Sequence, residues 1–144
     1  MTKDKYDLLG PIMSDIGQEA VHIVGGDRSG ILLYAEIGDR WNSLSLFRDE
    51  GDVVRYFRMS ERMDDLLWEA WYAESEEGGN KRWSVLEYDI HDGKFDASFR
   101  YPDQVDVEIY DHGDQRRQSA VRARFGDKPV VYPPFPGTGV ELKP

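Results

Sequence analysis

Residues 83–101, WSVLEYDIHDGKFDASFRY, decide the fold. Two alternating runs are separated by His91-Asp92-Gly93, and glycine takes the positive φ of a tight hairpin turn at little cost. In the first run Leu86, Tyr88 and Ile90 share one face, with Trp83 and Val85 on the other. In the second, Phe95, Ala97, Phe99 and Tyr101 point one way, and Lys94, Asp96, Ser98 and Arg100 point the other. The pattern predicts two antiparallel strands, the second with one buried and one wet face.

Upstream, ILLYAEI (31–37), RWNSLSLF (40–47) and VVRYF (53–57) are joined by short polar turns and predict an antiparallel meander. Before them, Tyr6, Leu8, Leu9, Ile12, Met13 and Ile16 have helical spacing. They predict a first helix over 3–17 that Gly17 ends and Pro11 strains. Ser60 is placed to cap a second helix over 61–76, with Met63, Leu66, Leu67, Ala70 and Trp71 on its inner side. A third helix is expected over 111–124, with a thin apolar face of Ala120, Val121 and Phe125. Five prolines after Gly126 predict an extended C-terminal arm lying on the body. The expectation is one α+β domain over 1–144, with a mainly antiparallel sheet of about five or six strands flanked by two or three helices.

Composition narrows the function. The chain has 144 residues, 28 acidic and 18 basic, for a net charge of −10. Such a field repels phosphates and anionic lipid and so speaks against direct nucleic-acid or membrane partners. A cationic partner is its complement. Cysteine is absent, which removes disulfides, thiolate metal sites and a cysteine nucleophile. The start, MTKDKYDLLG, lacks the apolar run of a signal peptide, and no stretch approaches the roughly 20 apolar residues of a membrane span. A cytoplasmic protein is expected.

The search for catalytic chemistry finds little. His22, His91 and His112 are isolated from one another, without zinc spacing. Asp-Ile-His-Asp-Gly (89–93) lacks the later oxygens and terminal glutamate of a calcium loop. Ser29 in GGDRSG lacks the lysine of a phosphate-binding loop, and no GxSxG elbow occurs. Pairs such as Asp64–Asp65 are expected in so acidic a chain and fit a solvated helix face. No enzyme, metal or cofactor is therefore expected.

The charge is uneven. Residues 1–110 hold 24 acidic and 12 basic residues, whereas 111–144 hold 4 and 6. QRRQSAVRAR (115–124) forms the basic element, read as a helix whose arginines pair with nearby carboxylates. WYAESEEGG (71–79) and YPDQVDVEIYDHGD (101–114) each mix carboxylates with aromatic residues. These two stretches predict a docking face. Glu74, Glu76, Glu77, Asp103, Asp106 and Glu108 would steer a basic partner, with Trp71 and Tyr110 as anchors.

The run over 83–101, followed by RARFGDKPVVYP (122–133), resembles the YezG-like proteins, a family grouped with bacterial immunity proteins and antitoxins. The matching positions are Trp83, Gly93, Lys94, Phe95, Phe99, Tyr101, Phe125, Gly126, Pro129 and Tyr132. ILLYAEIGD (31–39) is similar to an early strand of that family, and the resemblance covers nearly the whole chain. It implies a cytoplasmic inhibitor of a cognate toxin, often a nuclease domain, with no cofactor and no catalytic residue. The rival expectation is a small-molecule-binding domain or enzyme. Its pocket would lie under the C-terminal arm, with His91 or His112 beside a buried carboxylate.

Overall fold

The computed structural model describes residues 5–74, 82–105 and 113–133. The elements run α1 (Lys5–Ile23), β1 (Ile31–Gly38), β2 (Trp41–Asp49), β3 (Val54–Phe57), α2 (Glu61–Tyr72), β4 (Val85–His91), β5 (Lys94–Arg100), α3 (Gly113–Phe125) and β6 (Val130–Val131). They build an α+β fold around a six-stranded sheet of order β5-β4-β1-β2-β3-β6. All pairings are antiparallel except β3 with β6, where the arm returns parallel as Val54 faces Val130. The expected meander is β1-β2-β3; α2 then carries the chain back across the sheet, so that β4 lies on the other side of β1.

Every residue of β1 is buried, because helices cover both faces of the central strand. Ile31, Leu33, Ala35 and Ile37 join Leu46, Leu86 and Tyr88 under Ile16 and Ala20 of α1 and Met63 and Leu67 of α2. The alternate residues Leu32 and Tyr34 face Phe47, Val54 and Val85, with Ala120 and Val121 of α3. The sheet is thus the middle of three layers.

Four local expectations are corrected. Gly17 does not end the first helix, which continues through EAVHI to Ile23. A Cβ at Gly17 would meet the Tyr88 hydroxyl at 2.5 Å, so this glycine lets the helix lie close on β4. Trp83 shares the core with Leu86 rather than facing away with Val85, since it precedes β4 and strand alternation does not reach it. In β5 the first five residues are exposed, including Phe95 at 42%, because the strand lies at the end of the sheet order. The second helix ends at Tyr72, with Ala73 as its C-cap.

The hairpin turn is as expected: Asp92 and Gly93 both have positive φ, 51° and 74°, as a two-residue I′ turn requires. Ser60 caps α2, its hydroxyl accepting from the Met63 N–H at 3.0 Å and donating to Glu19 of α1 at 3.1 Å. One side chain thereby starts α2 and joins the two helices. The arm beyond residue 133 lies outside the described residues.

Candidate protein-docking surface

Among the described residues, many of the positive charges are paired with carboxylates of the chain itself. Arg116 of α3 grips the buried Glu36 of β1 with two bonds, Nε to Oε2 at 2.9 Å and Nη2 to Oε1 at 2.8 Å. The Tyr34 hydroxyl donates to the same carboxylate at 2.7 Å. Burial, then this hydrogen bond, pushes the Tyr34 phenol well above its ordinary range. About two turns further along α3, Arg124 donates to Asp89 at 2.7 Å and Glu87 at 2.9 Å. These carboxylates raise both guanidinium groups above their usual value, chiefly through the hydrogen bonds. The basic element is therefore a seat for α3, as its arginine-rich sequence suggests. Lys128 is bound to Asp49 at 2.8 Å, and Glu50 takes both Arg48 and Arg55.

The acid left over is displayed, and α2 arranges it. Met63, Leu66, Leu67, Ala70 and Trp71 turn that helix inward. Glu61, Asp65 and Glu69 are exposed at four-residue intervals, which places them in one stripe along the outer side. Like charges at this spacing destabilise a helix by roughly 0.2–0.5 kcal/mol per pair. Packing and the Ser60 cap hold the helix despite that cost.

Each end of the stripe has a feature suited to contact. Beside its N-terminal end lies a hollow of about 630 Å³, lined by Asn42, Tyr56, Arg58, Glu61, Asp64 and Asp65. Asp64 is fixed there by the Asn42 amide at 2.8 Å. At the C-terminal end Tyr72 is 60% exposed. Its ring stacks on Trp68 at 5.9 Å and meets Trp71 edge-on at 5.1 Å, and the Arg82 guanidinium lies 5.2 Å from its centroid. Tyr72 is thus a rigidly backed aromatic group presented to solvent.

The residues expected to dock partners divide three ways. Trp71 is a core residue, 8% exposed, with its indole N–H donating to the Trp83 carbonyl at 2.8 Å. It is not an exposed anchor; the exposed aromatic at this end of α2 is the neighbouring Tyr72. Glu74 is half-buried and accepts from the Tyr101 hydroxyl at 2.6 Å. That bond brings the end of α2 against the turn over 101–105, where Asp103 is exposed. The two stretches chosen from sequence therefore meet here. Glu76, Glu77, Asp106, Glu108 and Tyr110 lie outside the described residues. Glu61, Asp65, Glu69 and Tyr72 were not among the expected docking residues; the four-residue spacing of the three acids was the available signal, obscured by so many carboxylates nearby.

His91 does pair with a carboxylate, Asp96 at 2.8 Å, but that side chain is 78% exposed and encloses no pocket. His112 lies outside the described residues. Among the described residues no group of three or more His, Cys, Asp or Glu side chains is placed to hold a metal, and no helix is long and apolar enough to cross a membrane. No protein-family model matches the chain, and a search of curated proteins gives no significant match.

Proposed function

We propose that this chain is an acidic docking domain that holds a basic protein partner along the outer side of α2 and the adjoining 101–105 turn. The partner we propose is a toxin domain whose substrate cleft the ridge covers, which is the role implied by the resemblance to YezG-like immunity proteins. The observation that carries the reading is the stripe Glu61–Asp65–Glu69, in which three exposed acids outnumber the one exposed cation of α2, Arg62, beside the exposed Tyr72. Carboxylates on a rim steer a basic partner and raise its association rate, while an aromatic anchor supplies desolvated contact. Affinity replaces turnover in this mechanism, and no cofactor enters.

The test uses the product of the gene that neighbours the one for this chain, which this reading expects to carry a basic domain. The two are co-purified, and association is followed by stopped flow at low and high salt. Glu61→Lys, Asp65→Lys and Glu69→Lys together are expected to slow association about tenfold or more at low salt, with the difference shrinking as salt rises. Tyr72→Ala is expected to speed dissociation. An unchanged low-salt association rate would remove the ridge from the interface; a neighbour that does not bind, or is not neutralised in a growth rescue, would remove the toxin reading.

A further inference from the structure

A second surface has the opposite electrostatic character. Ser14, Gly17, Gln18, Val21 and His22 recur at helical intervals and give α1 one wall facing the β4–β5 hairpin. Between that wall and the hairpin lies a groove of about 500 Å³, within the usual range for small-ligand sites. Tyr88 and Ile90 of β4 and Phe95 of β5 supply an apolar side. Tyr88 and Phe95 stack face to face, 4.9 Å between centroids and 13° between planes, yet Phe95 stays 42% exposed. The Tyr88 hydroxyl is already committed to the Met13 carbonyl at 2.7 Å, so the ring offers the groove carbon rather than oxygen.

The hairpin end of this groove is built and cationic. The Gly93 N–H donates to the Arg28 carbonyl at 3.0 Å, and the Asp92 N–H donates to the Ser29 hydroxyl at 3.3 Å. These bonds tie the α1–β1 connection to the hairpin turn and bring Arg28 and Lys94 to one end of the groove. Neither residue has a carboxylate partner among the described residues, unlike the paired cations of α3. Among the described residues no acidic side chain lines the groove, although acidic residues lead basic ones 28 to 18 in the chain. Asp27 and Asp92 flank these cations without lining the groove, Asp27 accepting from the Ser29 N–H at 3.3 Å, and Asp96 of β5 is engaged by His91.

We propose that this groove binds an amphipathic organic acid, a ring or branched hydrocarbon carrying one carboxylate. The hydrocarbon lies against Val21, Tyr88, Ile90 and Phe95, and the carboxylate sits at the Arg28–Lys94 end, where guanidinium and ammonium groups make charge-assisted hydrogen bonds. The groove shares no residue with the α2 ridge and takes the opposite charge, so this site is independent of the docking role.

The test titrates the full chain with 3-phenylpropionate, following backbone amides by two-dimensional NMR. Parallel titrations use 3-phenylpropionamide, 3-phenylpropylamine and inorganic phosphate. Saturable shifts are expected over 14–22 and 90–95 with the acid, about tenfold weaker with the amide, and none there with the amine or phosphate. Arg28→Gln with Lys94→Gln, both at exposed positions, should reduce the acid to the affinity of the amide; Phe95→Ser should weaken acid and amide alike. Equal binding of acid and amide, preference for the amine, displacement by phosphate alone, shifts scattered over the surface, or no saturation at millimolar acid would each overturn the proposal. The ligand series decides the matter on the unaltered chain if a variant fails to fold.

Discussion

Glycine inside a helix costs roughly 0.5–1 kcal/mol relative to alanine, so Gly17 needs a packing reason. That reason is the fully buried Tyr88, whose hydroxyl oxygen lies 2.5 Å from where a Cβ would go, inside van der Waals contact, and reaches the Met13 carbonyl one turn earlier. Helix seating and the tyrosine hydrogen bond are therefore coupled through one missing methyl group. Gly17→Ala is expected to destabilise the protein by about 1–3 kcal/mol through overpacking, despite the better helix propensity. In a Tyr88→Phe background the obstructing oxygen is gone, so the same substitution should cost little or become favourable. A double-mutant cycle by urea denaturation measures the coupling. An equal cost for Gly17→Ala in both backgrounds would refute this account of the contact.

At the scale of elements, α3 is unusual in how it is held. Only Ala120 and Val121 of that helix are buried, too little apolar surface to fix it alone. Its position comes from Arg116 on the Glu36–Tyr34 pair and Arg124 on Glu87 and Asp89. Glu36 is 3% exposed, so removing its partner strands a buried charge. Arg116→Met should cost about 3–5 kcal/mol in urea denaturation. Replacing the whole cluster, Tyr34→Phe with Glu36→Leu and Arg116→Met, should recover most of that loss, because no desolvated polar group remains. A single-variant loss under about 1 kcal/mol, the range of an exposed pair, would show that the clamp does not hold the helix. The same cluster explains where sequence legibility stops. The strands of the meander, the hairpin and the capped α2 were readable because alternation, turn glycine and a Ser cap are local signals. The docking of α3 was not, because its seat is ionic and the partner lies 80 residues away along the chain. Burial in β5 failed for a related reason: alternation gives two faces, but only the sheet order reveals that this strand is at the edge. For the proposed docking face, the acid content was legible and which aromatic is exposed was not, since Trp71 and Tyr72 are neighbours whose opposite fates depend on which side of α2 meets Trp83.

At the scale of the whole molecule, the surplus of 28 acidic over 18 basic residues has two opposed consequences for stability in acid. Protonating exposed carboxylates relieves self-repulsion and favours the compact state. Protonating carboxylates that hold the fold together has the opposite effect. Asp49 belongs to the second kind: hydrogen bonds from Lys128, then from the Gly51 N–H, hold its carboxyl below the ordinary 3.8. It joins the segment after α3 to the end of β2, beside the short parallel pairing of β3 with β6. A carboxylate depressed on folding contributes stability that is complete above its unfolded value and is lost as pH falls through its folded value. Asp49→Asn removes that contribution while leaving the global charge almost unchanged. Midpoints of urea denaturation for the two proteins should therefore differ by a constant amount from about pH 7 down to about pH 5, and converge as pH falls toward about 2. The difference between variants cancels the relief of general repulsion, which acts on both proteins alike. A gap that stays constant into strong acid, or widens there, would show that Asp49 stabilises the fold by something other than its charge.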